Sequence, residues 1–191
     1  MPKYPQSHLD PKLPLVLDTR DLPRQPGSTR ALTRVVPAPS DLGGELIAVP
    51  EGADLTLELS MTSVSEGVYV SGVVRGPVKG ECGRCLQDID KSYDFEIQEL
   101  FLFEESEPEE RSDDDDDADE AGRMQGDLID LEPAVRDAVV LALPVNPLCR
   151  PDCPGLCPGC GVRLDELPAD HSHELDDPRW AALRNLSKSE E

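Results

Sequence analysis

Aromatic residues are scarce in this chain: three Phe, three Tyr and one Trp make up 4% of 191 residues. A core must therefore be filled by Val, Leu and Ile. No apolar run approaches the ~20 residues needed to cross a bilayer, and the N-terminus lacks the basic-then-apolar pattern of a secretory signal. Also missing are a phosphate-cradling Gly-rich loop, G-x-S-x-G and H-E-x-x-H. These absences lead to the expectation of a cytoplasmic protein with no membrane contact, no small-molecule substrate and no enzymatic activity. Reducing conditions there favour metal-bound thiolates over disulfides.

Positive charge is in short supply too. Forty acids against 18 Lys and Arg leave a formal charge of -22, which ordinarily argues against nucleic-acid binding. The distribution weakens that argument. Residues 104–120 hold twelve acids and one base, Arg111, and supply -11 by themselves. The first forty residues lean basic, with Arg20, Arg24, Arg30 and Arg34 as candidate positive contacts.

What the chain has in abundance is cysteine at close spacing. The ladder Cys149-x3-Cys153-x3-Cys157-Pro-Gly-Cys160-Gly161 places four sulfurs within twelve residues. Cys-Pro-x-Cys-Gly reads as a metal knuckle, in which Pro pre-sets the turn and Gly lets backbone amides point at the thiolates. Tetrahedral zinc suits such donors. His171 and His173 follow at useful range, and Cys82-Gly-Arg-Cys85 stands far upstream. Cys157 and Cys160 form the firmest pair. Their partners can be Cys149 and Cys153, or His171 and His173 in a C-x2-C-x10-H-x-H arrangement, or a mixture. Cys82 and Cys85 can complete a second site with the remaining donors, or stand as a free thiol pair. His8 lies in a loose leader and reads as solvent-exposed.

The expected fold is α+β: an antiparallel β-meander core with one packed helix, an acidic disordered insert and a small C-terminal zinc-knuckle module. Residues 1–12 read as a flexible leader and 13–103 as the β-rich core. Within that core, Leu13–Leu17 is extended, and 24–42 is irregular with one brief strand near Arg34–Val36. Leu55, Leu57 and Leu59 alternate with polar residues, the period of a half-buried strand. Ser65-Glu66-Gly67 makes a turn into a second strand from Val68 to Arg75. Gly76-Pro77 bends or bulges that strand before the Cys82/Cys85 pair. A third strand, Gln87–Phe103, has Tyr93, Phe95, Ile97, Leu100 and Leu102 at its apolar positions. Residues 104–124 form the acidic linker, too charged to bury apolar surface. A strand and a core helix occupy 125–147, with Asp130 or Glu132 as cap, Pro133 in the first turn, Leu131, Ala134, Val135, Ala138 and Ala142 on one face, and Pro144 as the stop. The cysteine-rich module takes 148–187 and closes on a short helix opened by Asp177-Pro178.

Taken together, the pair after a meander, the acidic linker, the helix ending Leu141-Ala-Leu-Pro-Val and the run Leu148-Cys-Arg-Pro-Asp-Cys-Pro-Gly-Leu-Cys-Pro-Gly-Cys-Gly resemble the bacterial YceD-like family (domain of unknown function 177). So does the closing Asp177-Pro-Arg-Trp-Ala-Ala-Leu. That family is associated with accumulation of large-subunit 23S ribosomal RNA. The resemblance spans roughly residues 13–187. One departure is His171-Ser172-His173, where many members carry Cys-x-Cys. It implies that the histidines are ligand candidates, and that the metal is structural because other members lack much of the ladder. The function implied is a non-enzymatic factor in ribosome biogenesis that binds ribosomal RNA or a large-subunit ribosomal protein or precursor. The competing expectation from the residues is a thiol- or metal-dependent redox enzyme or sensor built on Cys82 and Cys85.

Overall fold

The computed structural model describes residues 9–103 and 122–173. The leader (1–8, with His8), most of the acidic stretch (104–121) and the closing helix after Asp177 lie outside the described residues.

Alternating apolar residues build one twisted antiparallel sheet. Its spine is β6 (Gly67–Glu81), a 15-residue strand paired along one whole edge with β7 (Asp88–Leu102). The other edge of β6 is shared. β5 (Asp54–Ser63) pairs with residues 68–75, and β4 (Ile47–Val49) pairs with Gly80 and Lys79. β2 (Thr29–Pro37) adds outside β5, and β3 (Leu42–Gly43) adds outside β4. The meander β5-β6-β7 expected from the sequence is present. Gly76 and Pro77 do not interrupt it, since both stay in register opposite Tyr93 and Ser92. Pro77 falls in the gap between the β5 and β4 ladders, a position where a missing amide is tolerated.

Leu55, Leu57, Leu59 and Met61 of β5, Val70, Val74 and Val78 of β6, and Phe95, Ile97 and Phe101 of β7 point to one face. That face is covered by α1 (Glu132–Ala142) and by a two-stranded ribbon of β1 (Val16–Asp18) with β8 (Leu128–Asp130). The result is a two-layer α+β unit.

Five further expectations need correction. Residues 29–37 form a full nine-residue strand, not an irregular segment, because β5 offers an unpaired edge to every residue from Thr29 to Pro37. The buried residue near the end of β7 is Phe101, not Leu100 or Leu102: side chains alternate faces, and Phe95, Ile97 and Phe101 share parity. On α1 the buried stripe is Leu131, Val135 and Val139, running on to Leu143; Ala142 is exposed. The residue preceding the helix is Leu131, which makes no side-chain cap, although Asp130 Oδ1 accepts the Glu132 amide at 3.0 Å. Finally, Arg123 and Met124 belong to the fold and not to the linker. Met124 is buried and donates its amide to the Leu102 carbonyl at 2.9 Å. Among the described residues no helix is long and apolar enough to cross a membrane.

Candidate metal centres

The β6–β7 hairpin loop carries the first pair of thiols. Cys82 accepts the Leu86 amide on its carbonyl (2.9 Å) and donates its own amide to Gln87 (2.8 Å). This five-residue wrap forces Leu86 into the left-handed region, φ 58°. The same construction recurs at the second pair. Cys157 O accepts the Gly161 amide (2.8 Å), Cys157 N donates to Val162 O (2.8 Å), and Gly161 has φ 71°. The two loops are equivalent residue by residue, with Leu86 standing where the downstream knuckle has glycine.

The ladder of tail cysteines is divided between them. Cys149 and Cys153 turn back to the hairpin and join Cys82 and Cys85, all four sulfurs lying within 4.8 Å of one another. Gly83 N to Pro147 O (2.8 Å) and Arg84 Nη1 to Cys153 O (3.0 Å) fasten the incoming chain to the loop. The remaining thiols, Cys157 and Cys160, are met by His171 and His173 in a second group with the same spread. Of the partners weighed for Cys157 and Cys160, the two histidines are the ones that meet them, and Cys82 and Cys85 complete a second group with the cysteines left over. An all-cysteine site confined to the tail does not form.

The distances test whether an ion fits. Zinc bonded tetrahedrally to sulfur at ~2.3 Å sets the sulfurs about 3.8 Å apart. Cys82 Sγ and Cys153 Sγ are 3.8 Å apart, and Cys85 Sγ and Cys149 Sγ are 3.7 Å apart. A disulfide requires about 2.05 Å, and all six cysteines are free. A zinc with sulfur and imidazole donors predicts Sγ to N edges of about 3.5 Å. His171 Nε2 lies 3.4 Å from Cys157 Sγ and 3.6 Å from Cys160 Sγ. The rings of His171 and His173 meet edge to face, with centroids 4.6 Å apart. Both donor sets match a tetrahedral cation in number, chemistry and spacing.

Electrostatics points the same way. Burial opposes ionisation of Cys82, yet the backbone amides of Cys149, Arg84 and Cys85, with the Cys85 thiol, bring its pKa down to about 6. Burial and the neighbouring thiols push Cys149 up, and push Cys153 up to about 12. Four crowded sulfurs cannot all ionise by themselves; a central divalent cation removes the conflict by deprotonating each of them. In the second group the amides of Cys160 and Gly159 lower the Cys157 thiol.

Burial separates the two groups. Cys82, Cys85 and Cys153 are 0%, 5% and 1% exposed, with Cys149 half-buried. In the second group only Cys157 is buried; Cys160 and His173 are exposed. Gly159 packs so closely under His173 that a Cβ there would overlap the imidazole. Sequence reasoning missed three supporting residues: Leu86, Arg84 and Gly159. The signal available for the first two was that Cys82-Gly-Arg-Cys85-Leu86 has the same thiol spacing as Cys157-Pro-Gly-Cys160-Gly161.

A family model described as "Large ribosomal RNA subunit accumulation protein YceD" matches residues 70–187, a span containing both knuckles and every candidate ligand. The chain belongs to the YceD family. An uncharacterized protein of Mycobacterium tuberculosis (strain H37Rv) is 46% identical over 170 residues, covering 89% of this chain and 80% of that relative. One from Mycobacterium leprae is 38% identical over 173 residues, 91% of this chain and 77% of its own. The uncharacterized Bacillus subtilis protein YlbN is 26% identical over 128 residues, 66% of this chain and 70% of its own. No solved structure matches. The family assignment read from the Cys-rich core thus holds, and the family's name points to large-subunit ribosomal RNA.

Proposed function

We propose that this protein is a non-enzymatic, cytoplasmic factor that supports accumulation of large-subunit (23S) ribosomal RNA during ribosome biogenesis, by binding a basic ribosomal protein. The observation that carries this reading is the YceD match over residues 70–187, which takes in both four-donor groups. The proposed ions are structural zinc. Each group already supplies four protein donors, whereas a catalytic zinc needs a position left open for water or substrate. The redox alternative asks for an exposed, metal-free pair. Cys82 and Cys85 are buried among two further thiols, an arrangement that works against it.

A protein partner is favoured over naked RNA by the state of the four arginines. Arg20 forks onto Asp18, Arg24 reaches Asp127 at 3.2 Å while lying over the Phe103 ring, and Arg30 pairs with Asp21 at 3.2 Å. Arg34 donates to the Val16 carbonyl at 3.2 Å. At each position an acceptor already shares the guanidinium, and at the first three a carboxylate offsets its charge. The charge of -11 that remains outside residues 104–120 works in the same direction.

The test is conditional depletion in a bacterium that encodes the protein, with 23S and 16S RNA measured in the same extract. The expected result is a fall in 23S relative to 16S, with the tagged protein co-sedimenting with large-subunit precursors. An unchanged ratio would sink the reading. Pull-down of the purified protein separates the partner classes. Binding that survives nuclease treatment supports a protein partner, and binding to RNA alone that collapses with salt supports direct phosphate contact.

A further inference from the structure

We propose that the two centres are not equivalent in service: the Cys82/Cys85/Cys149/Cys153 group retains its zinc, whereas the Cys157/Cys160/His171/His173 group is an exchangeable zinc site through which free metal sets the state of the C-terminal module. The inference rests on taking both donor sets as zinc sites, and is otherwise independent of the rRNA reading.

Three observations carry it. The first is access. Ligand exchange at zinc needs a competing donor to approach the ion. Around the inner group three of four cysteines are no more than 5% exposed, and Arg84 and the Pro147–Cys153 segment close over the loop. Around the outer group Cys160 and His173 face solvent, leaving a path to the ion.

The second is how each ligand is held. The inner ligands sit on a hairpin continuous with the sheet and on a segment hydrogen-bonded to it, so losing the ion does not by itself separate them. The outer imidazoles sit beyond the short 3₁₀ turn Leu164–Glu166, which the Leu164 amide on Gly155 O (3.0 Å) and the Arg150–Asp165 pair (2.6 Å) tie back. Past that turn the imidazoles are held, among the described residues, by local contacts such as the His171 amide to Pro168 O (3.0 Å), the edge-to-face meeting of the two rings and the packing of His173 on Gly159. A donor that departs from this side has little to return it.

The third is reach. The inner group joins residues 64 and 71 positions apart and so belongs to the core. The outer group lies within a short stretch, from Cys157 to His173, with Cys157 and His171 only 14 positions apart. That span can open while Phe95, Val135 and the rest of the buried layer stay packed. The chain then has two folded states differing only in the segment after Cys157, and the concentration of free zinc selects between them.

The experiment uses the full chain loaded with zinc and titrated with a chromogenic chelator. Released zinc is counted against protein, and the β core is followed by circular dichroism. Two equivalents are expected, the first lost at a chelator concentration at least about 100-fold below the second, with the core signal unchanged across the first step. Refilling the emptied step with Co²⁺ should give the absorption of a mixed sulfur–nitrogen tetrahedral site, and cobalt in the inner site that of an all-sulfur one. In His171→Ala/His173→Ala only the labile equivalent should disappear. Gly159→Ala keeps every donor and displaces only His173, and should weaken the same step about 10-fold. Release of both equivalents together overturns the proposal. So does a total of one equivalent or none, or a labile step that persists in the double histidine variant.

Discussion

Cys82–Leu86 and Cys157–Gly161 are the same loop used in two settings. Each reverses the chain with an amide from the fifth residue on the first cysteine's carbonyl, and each aims backbone amides at sulfur. What differs is the surroundings. The upstream loop caps the two longest strands and receives its other two sulfurs from beyond α1. The downstream loop receives imidazoles from a few residues further along. Identical local chemistry thus yields a buried cross-brace in one place and an accessible clasp in the other. Ligand spacing fixes which atoms meet an ion; the packing around them fixes what the ion is for.

The comparison breaks most visibly at the sulfurs themselves. Cys153→Ser should unfold the C-terminal module and lower global stability by more than about 4 kcal/mol, read as a lower Tm and lost zinc, because a buried donor set loses its cation. Cys160→Ser should leave the core within about 1 kcal/mol of the parent while abolishing the labile zinc. Equal destabilisation by the two changes would contradict the distinction drawn between the sites. The loop conformation offers a finer test. Leu86 holds a left-handed backbone that costs a bulky residue about 1–2 kcal/mol, offset in part by the unfolded-state entropy of glycine. Leu86→Gly should therefore stabilise by about 0.5 kcal/mol in denaturant unfolding, whereas Gly161→Leu should cost about 1 kcal/mol and weaken the outer site.

The smallest effect lies away from both knuckles. Glu99 shares the inward parity of Ile97 and Phe101, and burial pushes its carboxyl above the ordinary 4.5, with Asp137 of α1 adding repulsion. A carboxyl raised in the folded state favours folding while protonated. Its contribution is full below the unfolded value and is lost as pH rises through the folded one. Stability should decline over the range just above pH 4.5, and Glu99→Gln should flatten that part of the profile. A pH profile identical in the variant would show that Glu99 is fully solvated.

Much of the fold was legible. Leu55, Leu57 and Leu59 announced a strand, and Pro133 with Val135 announced a helix, because period and punctuation act locally. β2 was hidden because its inward positions include Arg30 and Arg34, which break the apolar alternation that Leu32 and Val36 would otherwise have displayed. All eight candidate donors could be named, yet which of them stand together could not be decided. Which thiols share an ion is decided by the hairpin and the helix bringing residues 82 and 153 together, a long-range fact no spacing rule contains. Leu86 left Cys82 and Cys85 open to a free-thiol reading as well, since at this site the glycine that advertises the motif is replaced by a residue held left-handed by the fold.

The 64 positions that separate Cys149 from Cys85 also have a meaning in time. A bacterial ribosome adds roughly 5–20 residues per second, so the hairpin's thiols leave the exit tunnel about 3–13 s before their partners do. For that interval the nascent chain presents half a metal site, open to oxidants and to stray ions. Completion of the inner centre is therefore a late event of synthesis, a chemical signature that translation has passed α1.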